Sequence, residues 1–203
     1  KTGTLTQNRM HVERVFAGDE ERADLPPSDI GPPWTNLGQA LALCNDVVRR
    51  DGDPVGEPTE LALFLAAEQA GYVKKALEAA LPRVAELPFD SSRKRMTTLH
   101  SEESGVVAYV KGAPEVLVRR CTDRLTAAGT QSIDEAAVSV LVKGLADRGY
   151  RVLAVAERHF DTHPASLDDA EQGLTLLGLV ALIDPPRPEA RAAVDECRGA
   201  GIT

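Results

Sequence analysis

The sequence predicts an α/β (α+β) domain in which helices pack on the faces of a sheet. Three observations lead to this class. Apolar residues recur at helical spacing between positions 37 and 81, stretches rich in β-branched residues follow between 84 and 111, and helical patterns return between the later strands. Helix pairs before a run of strands, with further helices between strands, are typical of a sheet covered by helices.

The N-terminal part contains one predicted strand and three predicted helices. Residues 10–17 have the pattern of a short strand, and residues 18–33, rich in Asp, Pro and Gly, predict a loop. Apolar residues at every third or fourth position predict a first helix that includes Val48 and ends near residues 49–52. Pro58 suits the first turn of a second helix. The predicted helices cover residues 37–48, 58–71 and 74–81.

The rest of the chain alternates between strands and helices. Residues 101–104 form the turn of a predicted hairpin, and Leu174–Ile183 is apolar apart from Thr175, which indicates a buried strand. Asp134 and Gly149 are a typical start and stop for the helix between them. Strands are predicted over residues 84–89, 95–100, 105–111, 150–157 and 174–183. Helices are predicted over residues 114–121, 136–148 and 188–199.

Composition and charge exclude several classes of protein. Hydrophobic residues make up 43% of the chain, enough to bury a core, so intrinsic disorder is excluded. The longest apolar stretch, residues 177–183, is far shorter than the about 20 residues that a membrane-spanning helix needs. The formal net charge of −8 argues against general nucleic-acid binding, which relies on a basic surface.

The cysteines and histidines do not form a recognisable metal or disulfide pattern. The three cysteines are scattered and never spaced C-x-x-C, which predicts reduced, buried thiols. His159 and His163 are four residues apart, but their Pro-containing polar surroundings favour an exposed loop over a metal site. The glycine-rich phosphate loops of P-loop and dinucleotide-binding proteins are absent.

The first eight residues, Lys-Thr-Gly-Thr-Leu-Thr-Gln-Asn, resemble the phosphorylation-site motif of P-type ATPases without its first residue. In that family the missing residue is an Asp that attacks the γ-phosphate of ATP and forms an aspartyl phosphate. It would precede Lys1, so the resemblance implies no catalytic residue in this chain. Thr2 stands where related phosphatases carry an acid, and a hydroxyl can neither protonate the leaving group nor activate water. An acyl phosphate would therefore hydrolyse slowly. The resemblance also implies that Thr2 lends an oxygen to the phosphate and Mg²⁺.

Five further blocks resemble the same family in the same order. Two of them, Cys44-Asn45-Asp46 and Lys111-Gly112-Ala113-Pro114-Glu115, are most similar to the type II branch, the calcium pumps and their bacterial relatives. One such match would be weak, but six in order identify the chain as a nucleotide-binding domain fragment with a mainly antiparallel twisted sheet and helices on both faces. The blocks cover residues 44–46, 56–63, 89–96, 111–115 and 184–187.

The resemblance implies an ATP site around two lysines and one aromatic residue. Phe89 would stack on adenine, an interaction worth about 1–3 kcal/mol, although its spacing alone favours a core residue that ends a strand. Lys94 would lie near the phosphates, and Arg93 and Arg95 beside it would be a solvated face. Lys111 would lie deep in the adenine pocket; the alternative is a strand-terminal lysine that extends to water.

Further residues of the implied site come from other elements. Gly112 would let the ligand approach the backbone, and Ala113 would line the same slot. Glu60 would accept a hydrogen bond from the adenine amino group; the alternative is an exposed first-turn carboxylate that the helix dipole stabilises. Arg151 would contact the phosphates and Leu153 the base, the alternative for Arg151 being a surface side chain on a strand.

One position departs from the family pattern. Calcium pumps commonly carry an arginine two residues after the pocket Phe, where this chain has Ser91. The substitution removes one phosphate contact and predicts weak nucleotide binding.

The resemblance also divides the chain. Residues 1–8 would be a remnant of the phosphorylation domain, residues 9–183 the nucleotide-binding domain, and residues 184–203 a hinge and the start of the second half of the phosphorylation domain. Asp184-Pro185-Pro186-Arg187 reads as a rigid exit from a strand, because paired prolines hold the chain extended. A domain inserted in this way has adjacent ends, so we expect residues near 9 and 184 to lie side by side.

The implied function is that of an ATP-binding domain of a cation-transporting P-type ATPase, which couples ATP hydrolysis to transport. The parent would use ATP and Mg²⁺ and lie in the cell membrane with this domain on the cytoplasmic side. Its partners would be the phosphorylation, actuator and transmembrane domains of the same polypeptide. The fragment would be monomeric and would bind ATP without hydrolysing it.

Two alternatives come from other classes of protein, a soluble phosphatase or phosphotransferase of the haloacid dehalogenase type with a large cap and a non-catalytic interaction module. The transported ion stays open among calcium, magnesium, sodium and protons.

Overall fold

The computed structural model describes residues 6–201, and only the backbone of Arg191. Within this range the chain forms eleven strands and six α-helices. The strands are β1 (His11–Ala17), β2 (Glu20–Arg22), β3 (Val48–Arg50), β4 (Asp53–Val55), β5 (Arg83–Asp90), β6 (Arg95–Glu102), β7 (Gly105–Gly112), β8 (Cys121–Thr126), β9 (Gly129–Ser132), β10 (Arg151–Phe160) and β11 (Leu174–Ile183). The helices are α1 (Trp34–Leu43), α2 (Pro58–Gln69), α3 (Lys74–Ala80), α4 (Pro114–Leu117), α5 (Glu135–Asp147) and α6 (Ala190–Gly199).

Nine of the strands in the described range form one sheet. Seven of them follow the order β2-β1-β11-β10-β7-β6-β5, and every neighbouring pair in this path is antiparallel. β8 pairs with the first half of β11 in parallel, and β9 pairs with β8. The remaining strands, β3 and β4, make a separate hairpin. The prediction of a mainly antiparallel sheet is confirmed.

Helices cover both faces of this sheet. Successive side chains of β10 point to opposite faces, so Val155 belongs to one buried cluster while Ala154 and Ala156 belong to another. The first cluster lies beneath α1 and α2 and contains Leu37 and Leu63. The second lies on the other face, where α4 and α5 pack. The α/β (α+β) class with helices on both faces is therefore confirmed.

Helix α1 is shorter than the sequence predicts. It ends at Leu43, and Val48 lies in β3 with 51% of its surface exposed, so the predicted helix over residues 37–48 is wrong at its C-terminal end. The side chain of Asn45 explains the difference. Its Nδ2 donates to the carbonyls of Leu41 and Ala42 at 2.9 and 2.8 Å, groups that a longer helix would need for its own backbone bonds.

Five short strands were not predicted. β2 lies within residues 18–33, which the sequence assigns to a loop, β3 and β4 form the separate hairpin that follows α1, and β8 and β9 form a hairpin of mostly polar residues. These strands lack the alternation of apolar residues that identifies a half-buried strand. Helix α4 is also shorter than predicted, because a 3₁₀ turn, Val118–Arg120, follows it and β8 begins at Cys121.

The two ends of the domain lie side by side, as the sequence predicts. The backbone N–H of Arg9 donates to Asp184 Oδ1 at 3.2 Å, and that of Gln7 donates to the carbonyl of Pro185 at 3.0 Å. These contacts extend the antiparallel pairing of β1 with β11, in which His11 lies opposite Ile183. Among the described residues, no helix combines the length and the apolar character needed to cross a membrane.

His159 lies in β10 rather than in an exposed loop, so its predicted position is wrong. Its Nδ1 is 2.9 Å from Glu102 Oε2 and its Nε2 is 3.6 Å from Glu157 Oε1. Asn36 of α1 donates to the same oxygen of Glu157 at 2.9 Å. His163 lies in the loop that follows, and no described group of His, Cys, Asp and Glu side chains is arranged to hold a metal ion.

The contacts of His159 predict a pH-dependent stability. Hydrogen bonding to Glu157 and Glu102 raises the pKa of His159 to about 9, against an ordinary value near 6.5. Because the folded-state pKa is the higher one, protonated His159 stabilises the fold below about pH 6.5, and this contribution is lost as the pH rises to about 9. Urea unfolding at several pH values should therefore show wild type losing stability relative to His159→Gln across this window. A pH-independent difference between the two proteins would contradict the assignment.

Gly38 of α1 provides a second test of the packing. A Cβ at this position would lie 2.2 Å from the ring of Tyr72, which is buried and whose hydroxyl donates to the carbonyl of Trp34 at 3.2 Å. We expect Gly38→Ala to lower the free energy of unfolding by about 1–3 kcal/mol through overpacking. The matched control is Gly144→Ala in α5, where a Cβ meets nothing within 4 Å and should stabilise the helix by about 1 kcal/mol. Equal effects of both variants in chemical denaturation would refute this account.

Candidate functional site

A nearly buried ion pair joins β7 to α2. Lys111 Nζ lies 2.5 Å from Glu60 Oε1, and the two side chains are 9% and 16% exposed. The ammonium also donates to the carbonyl of Cys44, and the N–H of Asp46 donates to Glu60 Oε2 at 3.2 Å. Two alternatives are therefore wrong: Lys111 does not extend to water, and Glu60 is not an exposed carboxylate.

Two more cations bind backbone carbonyls at the end of α1 and directly after it. Arg83 Nη2 donates to the carbonyls of Leu43 and Asn45 at 2.9 and 2.6 Å, and Lys74 Nζ donates to those of Asn45 and Val47 at 2.9 and 3.0 Å. The last carbonyls of a helix lack partners within the helix and carry partial negative charge, which favours cations there. Sequence reasoning missed both residues, because isolated basic side chains at positions 74 and 83 form no motif.

The thiol of Cys44 lies at the same place but is not a reactive group. Burial raises the pKa of Cys44, and the nearby Lys111 ammonium offsets only part of this effect. Its Sγ is 3.4 Å from the carbonyl oxygen of Tyr109. The prediction of a buried thiol is confirmed for this residue and for Cys121, but it is wrong for Cys197, which is exposed.

Phe89 lies near the end of β5, and Lys94 lies in the turn between β5 and β6. Phe89 is 60% exposed, so the alternative of a core residue is wrong. Asp90 Oδ1 accepts from the N–H groups of Ser92 and Arg93, both at 2.9 Å, and holds the turn together. Lys94 has a left-handed backbone with φ of 54°, and its Nζ is 3.1 Å from Glu115 Oε1, a pair in which both side chains are more than half exposed.

Gly112, the last residue of β7, and Ala113 after it pack against this turn. The Ala113 N–H donates to the carbonyl of Lys94 at 3.0 Å. A Cβ on Gly112 would lie 2.5 Å from the same carbonyl and 2.6 Å from Cβ of Arg95. The glycine is therefore required by the close contact between β6 and β7, a reason that differs from the ligand approach suggested by the sequence.

Arg151 and Leu153 lie on the same face of the sheet as Lys111. Val155 is opposite Lys111 in the β10–β7 pair, and alternate residues of a strand point to the same face. Leu153 is partly buried against the core beneath α1 and α2, whereas Arg151 is exposed and has no ion pair among the described residues. The structure thus brings the two β10 residues, Lys111 and Glu60 to one side of the sheet.

Of the two arginines that flank Lys94, Arg95 does not lie where the sequence predicts. Arg95 is only 7% exposed and pairs with the buried Glu171, so its assignment to a solvated face is wrong. Arg93 pairs with the same carboxylate at 2.6 Å. Thr2, the residue predicted to contact phosphate and Mg²⁺, lies outside the described residues.

A separate groove of about 610 Å³ lies between α2 and the residues at the start of β1. Its apolar lining includes Met10, Val12, Leu61 and Leu65. None of the predicted site residues within the described range lines it. The groove is therefore separate from the predicted site residues.

Comparison with known proteins decides the family. Residues 33–189 match the model of a family described as P-type ATPase, cytoplasmic domain N. The chain belongs to this family. The match includes every predicted site residue from Glu60 to Leu153 and confirms the resemblance identified from the motifs.

Full-length relatives of this P-type ATPase domain are cation-transporting ATPases by name. The cation-transporting ATPase pma1 of Synechocystis sp. is 39% identical over 230 residues, covering 100% of this chain and 25% of the relative. The calcium-transporting ATPase of Bacillus subtilis is 36% identical over 232 residues, with 100% and 26% covered. The calcium-transporting ATPase 1 of Bacillus cereus is 34% identical over 206 residues, with 100% and 23% covered. The chain therefore spans about a quarter of the length of the curated relatives it matches.

The different burial of the two lysines predicts different effects on stability. Lys111→Met leaves Glu60 and the carbonyl of Cys44 without their cation, and removal of one partner of a buried pair costs about 3 kcal/mol or more. Lys94→Met, the matched control, breaks an exposed pair and should cost at most about 1 kcal/mol. Chemical denaturation measures both values. A Lys111→Met protein as stable as Lys94→Met would show that the Lys111–Glu60 pair does not hold the fold.

Proposed function

We propose that this domain binds ATP on the face that carries Lys111, Glu60, Phe89 and Lys94, as part of a cation-transporting P-type ATPase. The observation that carries the proposal is the nearly buried Lys111–Glu60 pair. The buried lysine and glutamate would supply polar groups for the edge of a base, and Phe89 at the end of β5, which is 60% exposed, would supply a flat apolar surface for its ring.

Each residue has a role that fits its environment. Phe89 stacks on the adenine ring, Glu60 accepts from the adenine amino group, and Leu153 contacts the base from β10. Lys111 neutralises the charge of Glu60. This neutral pair suits an uncharged base better than an unpaired carboxylate would. Gly112 and Ala113 line the slot between these base-binding residues and the turn at Lys94.

The phosphates have a different requirement, because they carry several negative charges. Lys94 and Arg151 are exposed cations that suit this end of the nucleotide. Ser91 supplies no charge, so the phosphates have one contact fewer than in calcium pumps. We therefore propose that ATP binds weakly.

We also propose the division of the chain that its motifs suggest. Residues 9–183 are the nucleotide-binding domain, while residues 1–8 and 184–203 belong to a phosphorylation domain. The contact of Arg9 with Asp184 supports this proposal, because an inserted domain must leave and re-enter its host at one place. We propose that these residues bind ATP and supply no catalytic group. Mg²⁺ would bind together with ATP, and we propose that Thr2 contacts the phosphate and the metal ion.

For the whole protein we propose ATP-driven cation transport across the cell membrane, with this domain on the cytoplasmic side. Phosphorylation, actuator and transmembrane domains of the same polypeptide would be its partners. Calcium is named for the two Bacillus relatives, and we propose it as the transported ion on that ground. The family match over residues 33–189 argues against a soluble haloacid dehalogenase-type phosphatase. A non-catalytic module without nucleotide binding is an outcome of the test that follows.

Titration of the 203-residue chain with ATP tests the site directly. We expect shifts of the amide NMR signals of Phe89 and Lys111, and we expect Phe89→Ala to raise the dissociation constant about tenfold through loss of stacking. Val84→Ala is the matched control, an apolar side chain on the same strand that is 49% exposed. The proposal fails if wild type shows no shifts, or if both variants bind ATP as wild type does.

A further inference from the structure

Glu171 is a buried carboxylate that lies immediately before β11 and outside every motif of the sequence. Its side chain is 1% exposed. Its two oxygens accept hydrogen bonds from Arg93 Nη1 at 2.6 Å, Arg95 Nε at 2.6 Å and Thr97 Oγ1 at 2.7 Å. Three side chains from the β5–β6 turn and from β6 therefore converge on one group that is more than 70 residues away in the chain.

This cluster is ionic and well satisfied. Burial by itself would raise the pKa of Glu171, but hydrogen bonds from Thr97, Arg95 and Arg93 and the charge of Arg95 outweigh it and lower the pKa. Glu171 is therefore ionised at neutral pH and compensates the charge of Arg95, whose side chain is 8% exposed. A buried arginine without this partner would carry an uncompensated charge, which is strongly unfavourable.

The two arginines connect Glu171 to the backbone near Phe89 and Lys94 through hydrogen bonds. Arg93 Nη2 donates to the carbonyl of Pro88, the residue before Phe89, at 2.6 Å. Arg95 Nη1 donates to the carbonyl of Arg93 at 3.0 Å, so the side chain of the residue after Lys94 binds the backbone of the residue before it. Lys94 itself has a positive φ of 54°, a conformation that residues with a Cβ adopt only when their surroundings impose it.

We propose that Glu171 is a positioning residue of the nucleotide site: by binding Arg93 and Arg95 it fixes the turn on which Phe89 meets the base and Lys94 meets the phosphates. This inference rests on the proposed function, because it concerns the same site. Glu171 acts without touching the nucleotide, since its side chain is buried and its oxygens are occupied by Arg93, Arg95 and Thr97.

The alternative is a purely structural role, in which Glu171 only stabilises the fold. The two roles differ in what they do to the nucleotide contacts. A structural role lowers the unfolding temperature and leaves the affinity of the folded molecules unchanged. A positioning role weakens ATP binding at temperatures where the protein is fully folded, and it does so through Lys94 and Phe89.

Glu171→Gln tests the positioning role, and Glu157→Gln is its matched control. Glu157 is also a buried carboxylate, but its described hydrogen bonds and ion pairs go to Asn36 and His159, neither of which is a site residue. Calorimetric titration of the folded 203-residue proteins with ATP should show a dissociation constant raised roughly fivefold for Glu171→Gln and unchanged for Glu157→Gln. In the Glu171→Gln background, Lys94→Ala should weaken binding less than it does in wild type, because Lys94 is already displaced.

Each outcome has a definite meaning. An unchanged dissociation constant for folded Glu171→Gln, or an undiminished effect of Lys94→Ala, overturns the positioning role while the proposed function stands. Absence of ATP binding by wild type overturns both. If thermal melting shows that Glu171→Gln does not fold, Arg93→Gln replaces it, because Arg93 is 25% exposed and links Glu171 to Pro88. Unchanged ATP affinity of that variant likewise overturns the inference.

Discussion

The ion pair between Lys111 and Glu60 links the sheet to the helices above it, and the arrangement of the candidate site depends on it. β7 brings the lysine, the first turn of α2 brings the glutamate, and the carbonyl of Cys44 at the end of α1 completes the contact. Because a buried cation needs a nearby anion and acceptors, this contact constrains how β7, α1 and α2 lie relative to one another. The face that carries Leu153 and Arg151 is defined by the same strand register.

Charge is distributed unevenly over this face, and the distribution has a chemical consequence. Lys111 and Glu60 neutralise each other where the base is proposed to bind, whereas Lys94 and Arg151, which are proposed to contact the phosphates, are exposed cations. A nucleotide has the same polarity, an uncharged base and a charged tail. The acidic chain as a whole repels anions, so local cations must supply the attraction, and Ser91 contributes none.

Features that depend on local patterns were predictable from the sequence. The apolar stretch of β11 and the Asp134 cap of α5 gave correct elements, and Asp134 Oδ1 does accept from the N–H of Ala137 at 2.9 Å. Features that depend on distant side chains were not predictable. The end of α1 is decided by the amide of Asn45, which occupies two helix carbonyls, and helical periodicity contains no information about that contact.

The candidate site shows the same division. Its motif residues were identified from the sequence, but which side chains pair with them was not. Arg95 resembled a solvated cation because its partner Glu171 is 76 residues away, and the burial of Lys111 depends on Glu60, 51 residues away. Pairings at such separations are set by the strand order, which composition and periodicity do not encode.

The central claim is that adenine binds on the face of Phe89 beside Lys111. The measurement that tests it most directly is the nuclear Overhauser effect between adenine protons and the protein in the ATP-bound 203-residue chain. The account predicts cross-peaks from the adenine ring protons to the ring of Phe89 and to the methyl groups of Leu153. Bound ATP whose adenine protons show cross-peaks only to residues elsewhere, such as the groove lined by Leu61 and Leu65, would contradict it.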